Sequence, residues 1–548
     1  MNCKIKILLL LMVFVSLQTH SQINDKQEEL TLFTDRDFCI SGDTLWFKVW
    51  LPNSMQQKGN VVRIQLYGKS NNLISSVIKM AANGWADGFI NVPDSLSTGQ
   101  YFVTAYINSQ RNLSDIAIKS KSLLVYNRFE ERVSEIEIVK TETLENDILG
   151  NGGVKLETDQ EKYQTRDKVT INFNSEVDFK NVIVKASIVD PLAKEVSANY
   201  KFNLKSSNIQ IPDFKEQDGF LISGRVVDVN RNPQPEVLVI LSITDEPPHF
   251  DYYLSGKEGD FHFFLKNAVG RTNIVLQAIS SGNNEFFIEK ELNYLEIESE
   301  IIVQTKVLSY NQSEFISLLI KGNFIDKLFN PVNLEQPDFF EMPARFTTPF
   351  YGLPSYRVLP KEFLELPDFN EISKELLKGV QYRNRNGNIT IRMVNEDENS
   401  FFYTEPLRLL NGIPIFKNSL FANLKSEDIS YIDITKKERI FGNLSFKGVL
   451  AVSLFDKSNS WMAEQANIFQ FNINCLQPDN YTDYSSRHET DINTPDLRQI
   501  YCWKALEIDS INEIEFFLSD LKGEVEISLE GITTNDEVFR VTKTIEVK

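Results

Sequence analysis

Thr34-Asp35-Arg36-Asp37, followed by Gly42-Asp43-Thr44-Leu45-Trp46-Phe47-Lys48-Val49, decides the fold. A polar turn leads into strict alternation. Leu45, Phe47 and Val49 fall on one side and Thr44, Trp46 and Lys48 on the other, the pattern of a strand with one buried face. The same signature returns 124 residues later without a gap: Thr34-Asp35, Cys39, Asp43, Leu45 and Phe47 align with Thr158-Asp159, Tyr163, Asp167, Val169 and Ile171. A repeat of that length is too long for a solenoid and predicts two related β-sandwich domains in tandem.

Composition sets the frame around these strands. A chain of 548 residues exceeds one hydrophobic core, and its length predicts roughly three to five domains. Hydrophobic residues make up 42%, with 39 Phe, and the aromatic and β-branched bias favours strands. Met1–Lys6 is short and basic, Ile7–Leu17 is apolar, and Thr19-His20-Ser21 offers small residues before a cut ahead of Gln22. Residues 1–21 therefore read as a signal peptide, because the apolar run is too short to span a bilayer and no later segment reaches that length. No cysteine follows the cut until Cys39, which argues against a lipoprotein anchor. Of the three remaining thiols, Cys475 and Cys502 flank a polar loop, and the sequence leaves open a bridge between them or two buried thiols. The net charge of −19, with dispersed basic residues, disfavours binding of nucleic acid or lipopolysaccharide and fits a solvated acidic exterior.

The first unit, 22–127, carries strands at Val61–Tyr67, Leu73 to Lys79, Gly88 to Val92 and Gly99–Ile107. Its opening turn and strand, with Leu96-Ser97-Thr98-Gly99-Gln100-Tyr101-Phe102-Val103-Thr104-Ala105-Tyr106, resemble a macroglobulin domain of bacterial alpha-2-macroglobulin-like proteins. Cys39 stands where that family has an aromatic residue. A charged linker ends in Gly150-Asn151-Gly152-Gly153, and a second such sandwich is assigned to 154–213. The fold class expected is mainly β, with tandem immunoglobulin-like β-sandwiches plus a small α+β unit. In the third unit, 219–300, Gly224-Arg225-Val226-Val227-Asp228, Asn232-Pro233-Gln234-Pro235 and Gly256-Lys257-Glu258-Gly259-Asp260-Phe261 resemble a carboxypeptidase regulatory-like domain, which implies a small non-catalytic β-sandwich. Residues 301–375 read as a helical and extended connector, with helices at Glu314 to Leu328 and Phe369 to Leu377. Its aromatic and proline-rich stretch Pro343 to Pro360 reads as a strap packed over neighbouring domains.

Residues 376–456 hold Pro406-Leu407-Arg408-Leu409-Leu410-Asn411-Gly412-Ile413-Pro414, then Asp428-Ile429, Ile432-Asp433-Ile434 and Gly448-Val449-Leu450-Ala451-Val452. The order reads strand, tight turn, helix, strand, and a strand entered through glycine. It resembles the plug domain of TonB-dependent outer-membrane receptors, although too few residues follow to form a receptor barrel. Pro406, Asn411, Gly412, Pro414, Asp428 and Gly448 carry this motif, and each has a structural role: turn geometry at Asn411-Gly412, a fixed exit at Pro414, and close approach at Gly448 and Gly442. Residues 495–548 close the chain with two alternating strands, Ser519 to Ile527 and Val538–Val547. The whole order of parts resembles Bacteroidota proteins that combine macroglobulin-like and plug-like domains.

No constellation for chemistry emerges. After signal cleavage His249, His262 and His488 stand alone, without metal-ligand spacing. There is no Gly-x-Ser-x-Gly elbow, no phosphate loop, and no thioester Cys-Gly-Glu-Gln. Glu396-Asp397-Glu398 reads as a solvated turn, and Asp35, Asp37 and Asp43 as turn and capping residues with a structural calcium as the alternative. The expectation is no catalytic, cofactor-binding or metal residue, and no enzyme. It is a non-catalytic exported protein acting by protein–protein contact in the periplasm or at the outer membrane. The partner expected is an envelope protein, with a β-barrel in a separate chain as one form of it. The alternatives are an accessory of TonB-dependent uptake and a macroglobulin-type protease inhibitor.

Overall fold

A computed structural model describes residues 29–112, 117–139, 153–175, 178–196, 199–203, 215–217, 219–244, 247–266, 270–279, 285–290, 295, 297, 301–329, 348–363, 365–459, 462, 468–475, 493–506 and 513–548. The signal peptide assigned to 1–21, residues 140–152 of the linker, and His488 lie outside these residues, while Glu135–Val139, read as part of the linker, is a strand paired with Val303–Val307. No described helix is long and apolar enough to cross a membrane.

The chain is mainly β and built from sandwiches. In the first, one sheet orders strands Thr31–Thr34, Thr44–Trp50 and Trp85–Asn91. The other orders Phe38–Ile40, Ala117–Tyr126, Gly99–Ile107, Val61–Tyr67 and Leu73–Met80. Leu45, Phe47 and Val49 enter the core between them, beside Val62, Ile64 and Phe102.

The second sandwich repeats this plan strand for strand. Its sheets run Val154–Thr158, Lys168–Ser175, Glu513–Phe517 and Lys162–Tyr163, Val538–Val547, Gly523–Thr533, Phe179–Ile188, Ile500–Leu506. Thr34 faces Phe47 and Thr158 faces Ile171, as the sequence offset requires. Phe38–Ile40 and Lys162–Tyr163 each pair in parallel with the last strand of their own sandwich.

This topology revises the sequence division. Residues 154–213 and 495–548, read as separate units, contribute strands to the same two sheets. Strands from 154–188 alone leave both sheets short of partners, and the closing strands supply them. Where the first sandwich turns from Val61–Tyr67 to Leu73–Met80 through residues 68–72, the second holds residues 189–499. The two ends of that insertion are neighbours: Ile188 N donates to Gln499 O at 2.9 Å.

The insertion is woven back into the frame. Asn199–Asn203 pairs with the first half of Ala117–Tyr126, so it belongs to the first sandwich and not to the 154–213 unit. A third sandwich packs strands Asp260–Lys266, Gly219–Val227 and Phe287–Lys290 against His249–Leu254, Leu238–Ile243, Gly270–Ala278 and Ile468–Cys475. Its last strand comes from well beyond the 219–300 boundary. The helix predicted in the connector spans Tyr310–Phe329 and lays Ile316, Leu319 and Ile320 into the core of the second sandwich. Near its C-terminal end Asn323 and Lys327 reach Asp43 at 2.8 Å each, so it bridges both sandwiches.

The two sandwiches also meet directly. Trp46, read on the side of the strand away from Leu45, Phe47 and Val49, packs with Trp50 on Ile183, Trp503 and Ile532 of the second sandwich. Both faces of Thr44–Trp50 are therefore buried.

Candidate functional site

The residues singled out as a motif lie in an α+β unit within the insertion. Its sheet orders Tyr356–Val358, Ile429–Thr435, Val449–Leu454, Leu407–Leu410 and Ile413–Pro414, with Leu407–Leu410 and Val449–Leu454 parallel. It thus begins about twenty residues before the 376 boundary, because the connector supplies its edge strand Tyr356–Val358. Helix Phe369–Leu376 starts at Asp368, whose Oδ1 accepts Glu371 N at 2.9 Å, a side-chain N-cap. Phe369 and Ile372 then join Ile432, Ile434, Leu450 and Val452 in the core on one face of the sheet. The helix read between Pro414 and Asp428 is only a 3-10 turn, Asn418–Phe421.

Each motif residue has a local task. Pro406 is buried ahead of its strand. Asn411 and Gly412 have φ of 50° and 79° and close a two-residue hairpin that pairs Leu410 with Ile413 and Leu409 with Pro414. Asn411 Oδ1 accepts Leu454 N at 2.7 Å, and its Nδ2 donates to Asp456 O at 3.0 Å. Asp428 is exposed and closes a turn by accepting Lys425 N at 3.1 Å. At Gly448 a Cβ would stand 2.9 Å from Thr435 O and 2.6 Å from Met393 Sδ, so the strand can enter only through glycine.

These residues are brought together as folding elements and as a seam with the third sandwich. A Cβ on Gly412 would lie 2.6 Å from Pro248 Cβ. Gln277 Nε2 donates to Pro414 O at 3.0 Å, and Ile413 is buried with Val275. The described part of the proline-rich stretch is the strap expected: Phe350 packs at a tilt on Phe250 and Phe441, and its N donates to Pro248 O. Tyr351 is held by Asp433, which accepts its hydroxyl at 2.9 Å and takes both ends of the Arg357 guanidinium at 2.6 and 2.8 Å. Burial, then the Asp433 charge, push the Tyr351 phenol well above its ordinary range.

The other candidates resolve as structural groups. Asp35 and Asp43 meet Arg36, and Asp43 also meets Lys327. Asp37 meets Lys121 and Lys185. Among the described residues no group of three or more His, Cys, Asp or Glu side chains is placed to hold a metal. Glu396-Asp397-Glu398 forms the turn between Asn388–Asn395 and Ser400–Phe401. His262 packs on Tyr253 with ring centroids 4.6 Å apart, and burial lowers its pKa. Cys502 is buried in the second sandwich's core, while the backbone of Cys475 pairs with Gly270 in the third.

One element escaped the sequence reading. Val380–Arg385 and Asn388–Asn395 form a hairpin through Asn386-Gly387, with φ of 52° and 85°, and Ser400–Phe401 adds a third strand. Asn-Gly between two alternating runs was the available signal. Arg383, Arg385 and Arg392 are exposed on it.

No family model matches the chain, and no curated protein matches it in sequence. Among solved structures it is similar to trypsin-activated alpha-2-macroglobulin from Escherichia coli, at 9% identity over 95% of this chain and 41% of that one, with a TM-score of 0.22. Salmonella alpha-2-macroglobulin reacted with methylamine aligns at 8% identity over 94% of this chain and 23% of that one, with a TM-score of 0.15. The Yersinia pseudotuberculosis adhesin InvE aligns at 12% identity over 48% and 58%, with a TM-score of 0.12. The chain spans less than half the length of these macroglobulins. A likeness at this level says nothing of activity.

Proposed function

We propose that the chain is a non-catalytic exported protein of the bacterial envelope that acts by protein–protein contact, with the inserted α+β unit as its contact module. One observation carries this reading. Although that unit has a complete core, it keeps Leu353, Phe363, Tyr403, Phe416, Ile440 and Phe455 exposed. Exposed large apolar side chains mark an interaction surface where they adjoin as a patch, and these six are side chains on this unit that could form one. The resemblance to a receptor plug, which works by seating inside another structure, points the same way. The sequence reading of residues 1–21 as a signal peptide places the contact in the periplasm or at the outer membrane.

The test is photo-crosslinking in intact cells from a probe placed at Ile440 or Leu353. Discrete adducts with envelope proteins are expected, and a free monomer at every probe position would refute the reading. A β-barrel as the main adduct would narrow it to an accessory of energy-coupled uptake.

A further inference from the structure

We propose that the outward face of the ribbon Val380–Arg385, Asn388–Asn395, Ser400–Phe401 docks an acidic, extended segment of a partner protein. This names the partner chemistry for the contact reading above and rests on it.

The ribbon has two faces of opposite character. Val380, Tyr382, Ile391, Met393 and Phe402 point inward and belong to the core of the unit. Alternation then turns Gln381, Arg383 and Arg385 outward, opposite Arg392, Thr390 and Asn388 in that order. Phe401 stands opposite Val394 on the same face, and Tyr403 follows two residues on. Phe401 is 42% and Tyr403 100% exposed. The tight Asn386-Gly387 turn fixes the register of the whole face.

The arginines are placed unlike the others of the unit. Arg357 is committed to Asp433, Arg408 to Glu405, and Arg439 to the carbonyl of Tyr351. Among the described residues, no ion pair or hydrogen bond ties the side chains of Arg383, Arg385 or Arg392 to a carboxylate. In a chain of net charge −19, three guanidinium groups gather on this face, while the ribbon's carboxylates Glu396, Asp397 and Glu398 lie in the turn at the end opposite Asn386-Gly387.

The chemistry of the occupant follows. Arg383 and Arg385 are two residues apart on one strand, about 6.7 Å, with Arg392 on the strand beside them. An extended segment bearing carboxylates at alternate positions has that same period, and each guanidinium fork can take a carboxylate in bidentate fashion. Phe401 and Tyr403 supply aromatic anchors beside the charges, the mixture that dominates protein contacts. A long polyanion is a poorer fit, since the acidic remainder of the chain repels it beyond this face.

The experiment uses the full mature chain and a fluorescent peptide of alternating Glu and Thr, with its Gln-Thr counterpart and phosphatidylglycerol vesicles as the other arms. The Glu-Thr peptide should bind at least about tenfold more tightly than the Gln-Thr peptide, with affinity falling as salt rises. The combined variant R383E, R385E and R392E should lose that preference. Lysine at the same three positions should keep part of it, because charge survives and the fork does not. Far-ultraviolet circular dichroism checks that both variants fold, and these exposed sites contribute nothing to the core. Equal binding of the two peptides, binding that survives in the glutamate variant, or binding to vesicles without binding to the peptide would each overturn the proposal. Crosslinked adducts that persist in the glutamate variant would overturn this surface and leave the contact reading standing. Absence of adducts from the unaltered chain would remove both.

Discussion

Asp35 and Asp159 occupy equivalent positions in the repeat and make the same bonds. Each donates its N to the strand residue eleven positions on, Trp46 or Thr170, at 3.1 Å. Each accepts that residue's N on Oδ1, at 3.2 and 2.9 Å. Their surroundings differ. Asp35 is fully buried, and burial raises its pKa from 3.8 to about 6 against the pull of Arg36 and Lys185. Asp159 is exposed, and its bonds from Thr170 and Tyr163 outweigh burial and lower its pKa. A carboxyl raised on folding favours the native state fully below its unfolded pKa, and that contribution is lost as pH rises through the folded value. Asp35 therefore costs stability between about pH 4 and pH 7, and on the order of 3 kcal/mol is at stake. Replacing it with Asn should stabilise the chain relative to the parent progressively across that window, as read by denaturation at a series of pH values. Asp37 acts in the opposite sense: burial is outweighed by Lys121, Lys185 and Arg540, which hold its pKa down. Its contribution is present above about pH 4 and fades on acidification. A D35N chain whose advantage does not grow with pH would contradict this assignment. A second residue pair, Arg63 and Glu216, is buried and bidentate at 2.7 Å across the seam between the first sandwich and the insertion. Arg63→Leu should cost about 3–5 kcal/mol, and the double change to apolar residues distinctly less, because only the single change strands a buried charge. Hydrogen exchange in Val61–Tyr67 and Gly219–Val227 separates the two cases.

At the scale of elements, the Asn411-Gly412 hairpin shows what was legible and what was not. Its turn type followed from the dipeptide, and the structure has it. That the turn would press on Pro248 could not be read, because the contact joins positions far apart in sequence. Strand Thr44–Trp50 teaches the same lesson: its alternation located the core residues Leu45, Phe47 and Val49. Nothing in that pattern announced that Trp46 and Trp50 would be covered by a second sandwich. The ribbon arginines were visible as letters, but only the strand register places Arg392 opposite Gln381 and diagonal to Arg383, on the face that also carries Arg385. Two predictions belong here. Gly412→Val should strain the turn and strike Pro248, loosening the α+β unit from the third sandwich while leaving its core intact. Faster exchange at Gly270–Ala278 with unchanged exchange at Val449–Leu454 would report that uncoupling. Trp46→Ala should cost about 3–5 kcal/mol. Four of the five tryptophans, Trp46, Trp50, Trp85 and Trp503, meet in this seam, so loosening it should shift the fluorescence of the remaining ones to the red.

At the scale of the molecule, the repeat decides how the chain is tied together. The sequence offset identified two sandwiches, yet it could not reveal that the second is completed by the last fifty residues. Strand pairing leaves no mark in periodicity when the partner lies three hundred positions away. The consequence is mechanical. Phe179–Ile188 is flanked by Gly523–Thr533 on one side and Ile500–Leu506 on the other, so the chain before the insertion and the chain after it share one sheet and one core. Cutting the backbone inside the insertion breaks none of those bonds. A protease site introduced between residues 330 and 347 should therefore yield, after cleavage, two fragments that remain one particle on size exclusion and part only in denaturant. The same cut tests the division of labour. If 154–188 and 495–548 were independent units, only the pairing of Gly270–Ala278 with Ile468–Cys475 and the seam of the α+β unit on the third sandwich would join the fragments, and a charge placed in Phe179–Ile188 would leave their parting in denaturant unchanged. In the topology of this chain the shared strand joins them as well, and Val184→Lys should lower the denaturant concentration at which the cleaved fragments part, since it places an unpaired charge in the sheet that holds the halves together.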